Sequence, residues 1–182
     1  RGGYMRIFVG IDIPKEVKIA LNDETDKFLK YTSHSKKTLV DNFHLTLKFI
    51  GEIDISQIET LEHILKEQLK DVDSFDIQLK DFGSFKKKDG YILWMGVLKG
   101  VGMLKTIHKK IDDVLNKQYG LDKAIFSPHV TLAKRVELKD QNELRKNKTR
   151  AYNFKVEHIV IYYSHIVDDV LTYTPLSRIA LN

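Results

Sequence analysis

Two stretches of the chain carry the same short arrangement of reactive side chains. In FHLTLKFIG (Phe43 to Gly51), His44 and Thr46 stand two apart in an otherwise apolar run. In PHVTLAKR (Pro128 to Arg135), His129 and Thr131 repeat the pattern. In an extended strand, residues two apart face the same side, about 6.5–7 Å from one another. Each motif therefore offers an imidazole and a hydroxyl on one face, with Leu45 and Leu47, or Val130 and Leu132, on the other. Chance supplies roughly 0.07 such motifs in a chain of this composition, so two together argue for a shared purpose.

Two imidazoles and two hydroxyls facing one cleft suit in-line displacement at a phosphodiester. An imidazole with a pKa of about 6.5 can accept a proton from an incoming oxygen while its twin donates one to the departing oxygen. The threonine hydroxyls can donate hydrogen bonds to phosphoryl oxygens. His34, His63, His108, His158 and His165 lack such company and are read as surface or structural. Lys86, Lys87 and Lys88 read as a solvated turn. Phe43, Phe49 and Trp94 are read as core before base-stacking platforms; Phe49, inside the first motif, is also kept as a substrate-binding candidate. No metal is expected, because two histidines with threonines are too few good donors even if Asp12 or Asp41 were recruited. No cofactor is expected either, and there is no Gly-rich loop for a nucleoside triphosphate.

Composition narrows the setting. The chain has 182 residues, 42% of them hydrophobic and 30% charged, with a formal net charge of +5. That excess favours an anionic partner only weakly. The absence of cysteine excludes disulfides, thiolate nucleophiles and iron–sulfur clusters. No apolar run approaches the roughly 20 residues of a membrane span, and the start lacks a secretory core. A cytoplasmic monomer without membrane contact is the expectation, with Met5 as natural first residue and residues 1–4 a leftover before it.

The elements that must position the motifs can be read from periodicity. Met5 to Ile13 reads as a strand, and Pro14 to about Tyr31 as a helix with Val17, Ala20, Leu21, Phe28 and Leu29 on one side. A short strand is expected over Thr38 to Val40 and a longer one over His44 to Ile50. Ser56 to Leu69 reads as a helix with Ile58, Leu61, Ile64, Leu65 and Leu69 on one face. Strands over Phe75 to Phe85 and Tyr91 to Leu98 flank a turn cornered at Asp89-Gly90. A helix over Gly100 to Tyr119 ends at Gly120, and a strand runs from His129 to Lys134. Lys139 to Arg150 reads as short helix or loop. Strands over Phe154 to Ser164 and Val170 to Leu181 finish the chain. This is an α+β pattern: two pseudo-symmetric lobes of antiparallel sheet, helices on their outer faces, a cleft between them, and no linker, so residues 1–182 are read as one domain.

The motifs so placed resemble the two-histidine (2H) phosphoesterases, and among them the RNA 2′,3′-cyclic phosphodiesterases of the 2′-5′ RNA ligase (ThpR/LigT) type. The resemblance spans nearly the whole chain: MRIFVGIDIPKEV, DNFHLTLKFIGEI, DFGSFKKKDGYILWMGV, FSPHVTLAKRV and IVIYYSHIVDDVLTYTPLSRIAL follow in the family's order. It implies a bilobal fold with a basic cleft and metal-independent hydrolysis of an RNA 2′,3′-cyclic phosphate, on tRNA fragments for example, to a 2′-phosphomonoester. It also implies ATP-independent 2′-5′ joining in the reverse sense. His44 becomes the acid for the leaving 3′-oxygen and His129 the base for water, a ranking the residues alone do not supply. Thr46 and Thr131 become phosphate ligands. Where the family often has arginine, this chain has Lys134, with Arg135 next; lysine keeps the charge and loses the planar fork. Two rivals stand beside this reading: a 2H enzyme for 2′-5′ oligoadenylate or small cyclic nucleotides, and a non-catalytic RNA-binding module.

Overall fold

The structure, a computed structural model, describes residues 3–182. The first half of the expected leftover, residues 1 and 2, lies outside the described residues. Strand β1 (Tyr4–Asp12) buries Ile7, Val9 and Ile11 on one face. Pro14, whose ring fixes φ, then opens α1 (Lys15–Leu29), and its carbonyl accepts from Val17 N–H and Lys18 N–H. The two-residue β2 (Lys36–Lys37) leads through a 3₁₀ turn (Val40–Asn42) into β3 (His44–Asp54). A second 3₁₀ turn precedes α2 (Ile58–Leu69), which buries Leu61, Leu65 and Leu69. The hairpin of β4 (Phe75–Lys87) and β5 (Gly90–Lys99) follows, then α3 (Val101–Tyr119). Gly120 ends α3 at φ +63°, a left-handed conformation that glycine adopts without strain. The chain continues through β6 (His129–Val136), α4 (Asn142–Lys146), β7 (Tyr152–Val156), β8 (His158–Val167) and β9 (Val170–Ala180).

All strand pairs are antiparallel and form two sheets, ordered β3-β1-β8-β9 and β2-β6-β5-β4-β7. The expected α+β class and paired lobes are what the chain forms. The two halves correspond: β1–α1–β3 in one repeats as β5–α3–β6 in the other, and each unit ends in a His-x-Thr strand. The helices, however, are exchanged. Helix α1 follows a strand of the first sheet yet packs on the second, where Phe28 meets Phe82 with ring centroids 4.9 Å apart and Asp26 pairs with Lys37 at 2.6 Å. Helix α3 follows a strand of the second sheet yet reaches the first, where Asp112 pairs with Lys48 of β3 at 2.6 Å. One apolar cluster runs through both sheets and the helices.

Three expectations need correction. The strand expected over Thr38 to Val40 is displaced to Lys36–Lys37. After Thr38 N–H bonds to the Leu132 carbonyl, local bonds from Asn42 N–H to Leu39 and from Phe43 N–H to Val40 coil the chain. The hairpin corner is Lys88-Asp89, one residue earlier than expected, because Lys87 and Gly90 already pair. The strand expected over Phe154 to Ser164 is two strands in different sheets. The chain crosses at Glu157, whose carbonyl accepts from Leu181 N–H.

Candidate active site

Where the sheets meet, β3 and β6 lie against each other. Strand β3 is the edge of its sheet, and β2 covers β6 only at Ala133 and Lys134, leaving the His129 end open. The motif strands thus meet at the junction of the sheets, and each carries its histidine as its first residue. His44 stands opposite Asp12 in β1, and His129 opposite Gly96 in β5.

Both imidazoles are anchored alike. His44 Nδ1 lies 2.8 Å from the Asn42 carbonyl, and His129 Nδ1 lies 2.6 Å from the Ser127 carbonyl. A carbonyl only accepts, so each Nδ1 carries the hydrogen and each Nε2 is left to work. In the neutral ring Nε2 is an acceptor, and Thr46 Oγ1, 2.7 Å from His44 Nε2, donates to it. His44 is largely withdrawn from water, and this burial lowers its pKa to about 4. The bond to Asn42 opposes the shift, Lys18 and His129 add to it, and Asp12 opposes it.

Aromatic rings fix the imidazoles from the side. His44 lies 4.8 Å from Phe8 and 5.1 Å from Tyr173, while His129 lies 5.1 Å from Phe85 and 6.0 Å from Trp94. Sequence reasoning missed Phe8, Tyr173 and Phe85. Their signal was available: Phe8 breaks the run of core-facing Ile7, Val9 and Ile11, so strict alternation turns it to the other face. Behind His44, Lys18 Nζ bonds to the Asp41 carbonyl at 3.2 Å and pairs with Asp12 at 3.0 Å.

The two motif strands are interrupted at the same place. In β3 both Leu47 and Lys48 are buried, and the pairing with β1 shifts there. In β6 both Leu132 and Ala133 are buried, and the pairing with β5 shifts there. One extra residue in each strand reverses the alternation beyond it. Phe49 and Lys134, equivalent residues, consequently return to the histidine face.

Phe43 is core as expected at 1% exposure, but Phe49 is 66% exposed and its ring is 5.9 Å from Phe8. The core reading of Phe49 is thus corrected, and Trp94, half-buried beside His129, is corrected with it. Thr131 shares the face of His129. Lys134 stands five residues further along β6, about 15 Å at strand rise. Arg135, at φ +53°, turns to the hairpin tip and pairs with Asp89 at 3.2 Å. His108 stacks on Phe126 at 4.4 Å, and His165 bonds to Thr174, so both stand apart from the motif pair. Among the described residues no three His, Cys, Asp or Glu side chains form a metal-binding group, and no helix is long and apolar enough to cross a membrane.

The chain is similar to known proteins in sequence and in fold. Residues 30–166 match the model of the 2′-5′ RNA ligase superfamily. A protein of Methanocaldococcus jannaschii named RNA 2′,3′-cyclic phosphodiesterase is 31% identical over 169 residues, covering 88% of this chain and 91% of its own. One of the same name from Thermotoga maritima is 28% identical over 131 residues, covering 71% and 70%. In fold, the chain is similar to Escherichia coli LigT complexed with 3′-AMP, at TM-score 0.75 and 21% identity over 98% and 99% of the two chains.

Proposed function

The chain belongs to the 2′-5′ RNA ligase superfamily, and on that premise we propose that it is an RNA 2′,3′-cyclic phosphodiesterase that works by paired histidines. The observation that carries this is the matched anchoring of His44 and His129. Each ring gives Nδ1–H to the carbonyl two residues before it, which leaves each Nε2 as the acceptor; that of His44 accepts from Thr46 Oγ1 at rest.

The steps follow from those two nitrogens. His129 Nε2 accepts a proton from water as its oxygen attacks phosphorus. The P–O3′ bond opens in line, and His44 Nε2–H protonates the departing 3′-oxygen. A 2′-phosphomonoester and a free 3′-hydroxyl result. At neutral pH the isolated His44 is neutral, so it must be loaded with a proton. The phosphate anion, once bound beside it, favours the charged imidazolium and supplies that bias. Thr46 and Thr131 donate to the non-bridging oxygens, and Thr46 keeps His44 aimed between turnovers. With an RNA 5′-hydroxyl in place of water, the same atoms form a 2′-5′ bond without ATP, because the strained ring holds the energy. The substrates are RNA ends, tRNA fragments among them, met by a monomer in the cytoplasm.

The test is incubation with a 2′,3′-cyclic nucleotide and with RNA ending in that group, in EDTA, with the product isomer identified. A 2′-monophosphate is expected. A 3′-monophosphate reverses the leaving oxygen, and no turnover on either substrate overturns the reading. His44→Ala and His129→Ala should each lower kcat by about 10²–10⁴.

A further inference from the structure

Beyond the histidines, two lysines are set in an arrangement that folding alone disfavours. Lys36 of β2 stands directly opposite Lys134 of β6, and both are exposed. Their neighbours Lys37 and Ala133, also opposite one another, face the helix side, where Lys37 is neutralised by Asp26 and Ala133 is fully buried. Lys36 and Lys134 therefore project from the face that carries His129 and Thr131. Like charges directly across a strand pair repel, and among the described residues neither lysine has an ion-pair partner. The nearby carboxylates are otherwise engaged: Asp89 pairs with Arg135, and Glu137 accepts from Ser33. Lys36, Asp89, Arg135 and Glu137 line a depression of about 450 Å³ at this edge.

We propose that Lys36 and Lys134 together hold a backbone phosphate of the RNA upstream of the cyclic end, so that the site is built for an oligonucleotide. This rests on the cyclic phosphodiesterase reading and selects, within it, a polymer over a free cyclic nucleotide. The spacing fits. Lys134 lies about 15 Å from His129 along β6 at strand rise, a distance that a few nucleotides of single strand can span. Between the two points the same face presents Trp94 and Phe85, whose ring centroids are 5.2 Å apart, as surfaces on which intervening bases stack. A phosphate placed between the ammonium groups removes their repulsion and gains two charge-assisted hydrogen bonds.

The test uses RNA that cannot be turned over: a hexaribonucleotide ending in a 2′-phosphate, compared with a nucleoside 2′-monophosphate. The wild-type chain should bind the hexamer roughly tenfold or more tightly than the mononucleotide. Lys36→Glu with Lys134→Glu should collapse that ratio toward one. The slope of log affinity against log salt for the hexamer should flatten by about 0.7 for each phosphate no longer neutralised. Lys36→Gln, a milder change at a two-residue edge strand, should lower the ratio partway. A ratio unchanged in the double variant, an equal weakening for both ligands, or no wild-type preference for the hexamer overturns the proposal. Failure of the wild type to open a cyclic phosphate sinks the catalytic reading alone, since the binding comparison needs no turnover.

Discussion

Asn42 donates its side-chain Nδ2–H to the Leu171 carbonyl of β9 at 2.8 Å, while its own carbonyl receives the Nδ1–H of His44. One residue thus ties the last hairpin to the first imidazole. Asn42→Ala leaves the Leu171 carbonyl unpaired and lets the Asn42 backbone relax, so folding stability should fall by about 1–3 kcal/mol. As a positioning residue, Asn42 should also show in kcat more than in KM. A loss of stability with kcat intact would reduce the bond to a purely structural one.

His44 makes stability depend on acid. Its pKa is about 4 when folded, against 6.5 when free, so the unfolded chain takes up the proton first as pH falls. The resulting destabilisation begins near pH 6.5, grows down to about pH 4 and then levels, reaching about 3 kcal/mol at most. Urea midpoints measured from pH 7 to 4 should drop, and His44→Asn should flatten that drop. Inorganic phosphate should raise the His44 pKa, seen directly in its NMR titration; an unmoved titration would leave the acid of the reaction without its proton.

Lys48 and Asp112 form a pair buried at 7% and 6% side-chain exposure, directly behind the first motif. Removing Asp112 strands the Lys48 charge in the core, and removing Lys48 leaves Asp112 facing only the more distant His108 at 3.5 Å. Lys48→Met or Asp112→Leu alone should cost about 3–5 kcal/mol, whereas the double change should cost far less. Denaturant unfolding of all four forms gives the coupling, and equal additive losses would argue against the pair.

Trp94 is the only tryptophan, and its indole beside His129 occupies the space where a side chain on Gly83 would begin. Its fluorescence should therefore report on the groove. RNA binding should quench it in proportion to occupancy. Gly83→Ala must push the indole aside, so it should shift the emission and weaken RNA binding together. An emission that ignores RNA would place the bases elsewhere.

Much of this was legible in the sequence. The repeated motif, the face it occupies and the order of most elements follow from period and turn chemistry. Alternation served up to Thr46 and Thr131 and failed immediately after, because the extra residue in each strand is set by pairing with β1 and β5, not by its own side chains. Strict alternation therefore places Phe49 in the core, whereas it is exposed. The crossing at Glu157 hid for a related reason: Phe154, Val156 and Ile159 are apolar on both sides of it, and only the polar Glu157-His158 step marks the change of sheet. The placement of α1 and α3 on each other's sheets had no local signal, since an amphipathic helix does not state which sheet it covers.

That crossing of helices has a mechanical consequence. A jaw that shuts on its substrate needs halves that swing apart, and here any swing must peel Phe28 from Phe82 and draw Lys48 away from Asp112. On the paired-histidine reading, the spacing of His44 and His129 is therefore set by packing and not by a hinge, and is expected to stay the same with and without a bound phosphate.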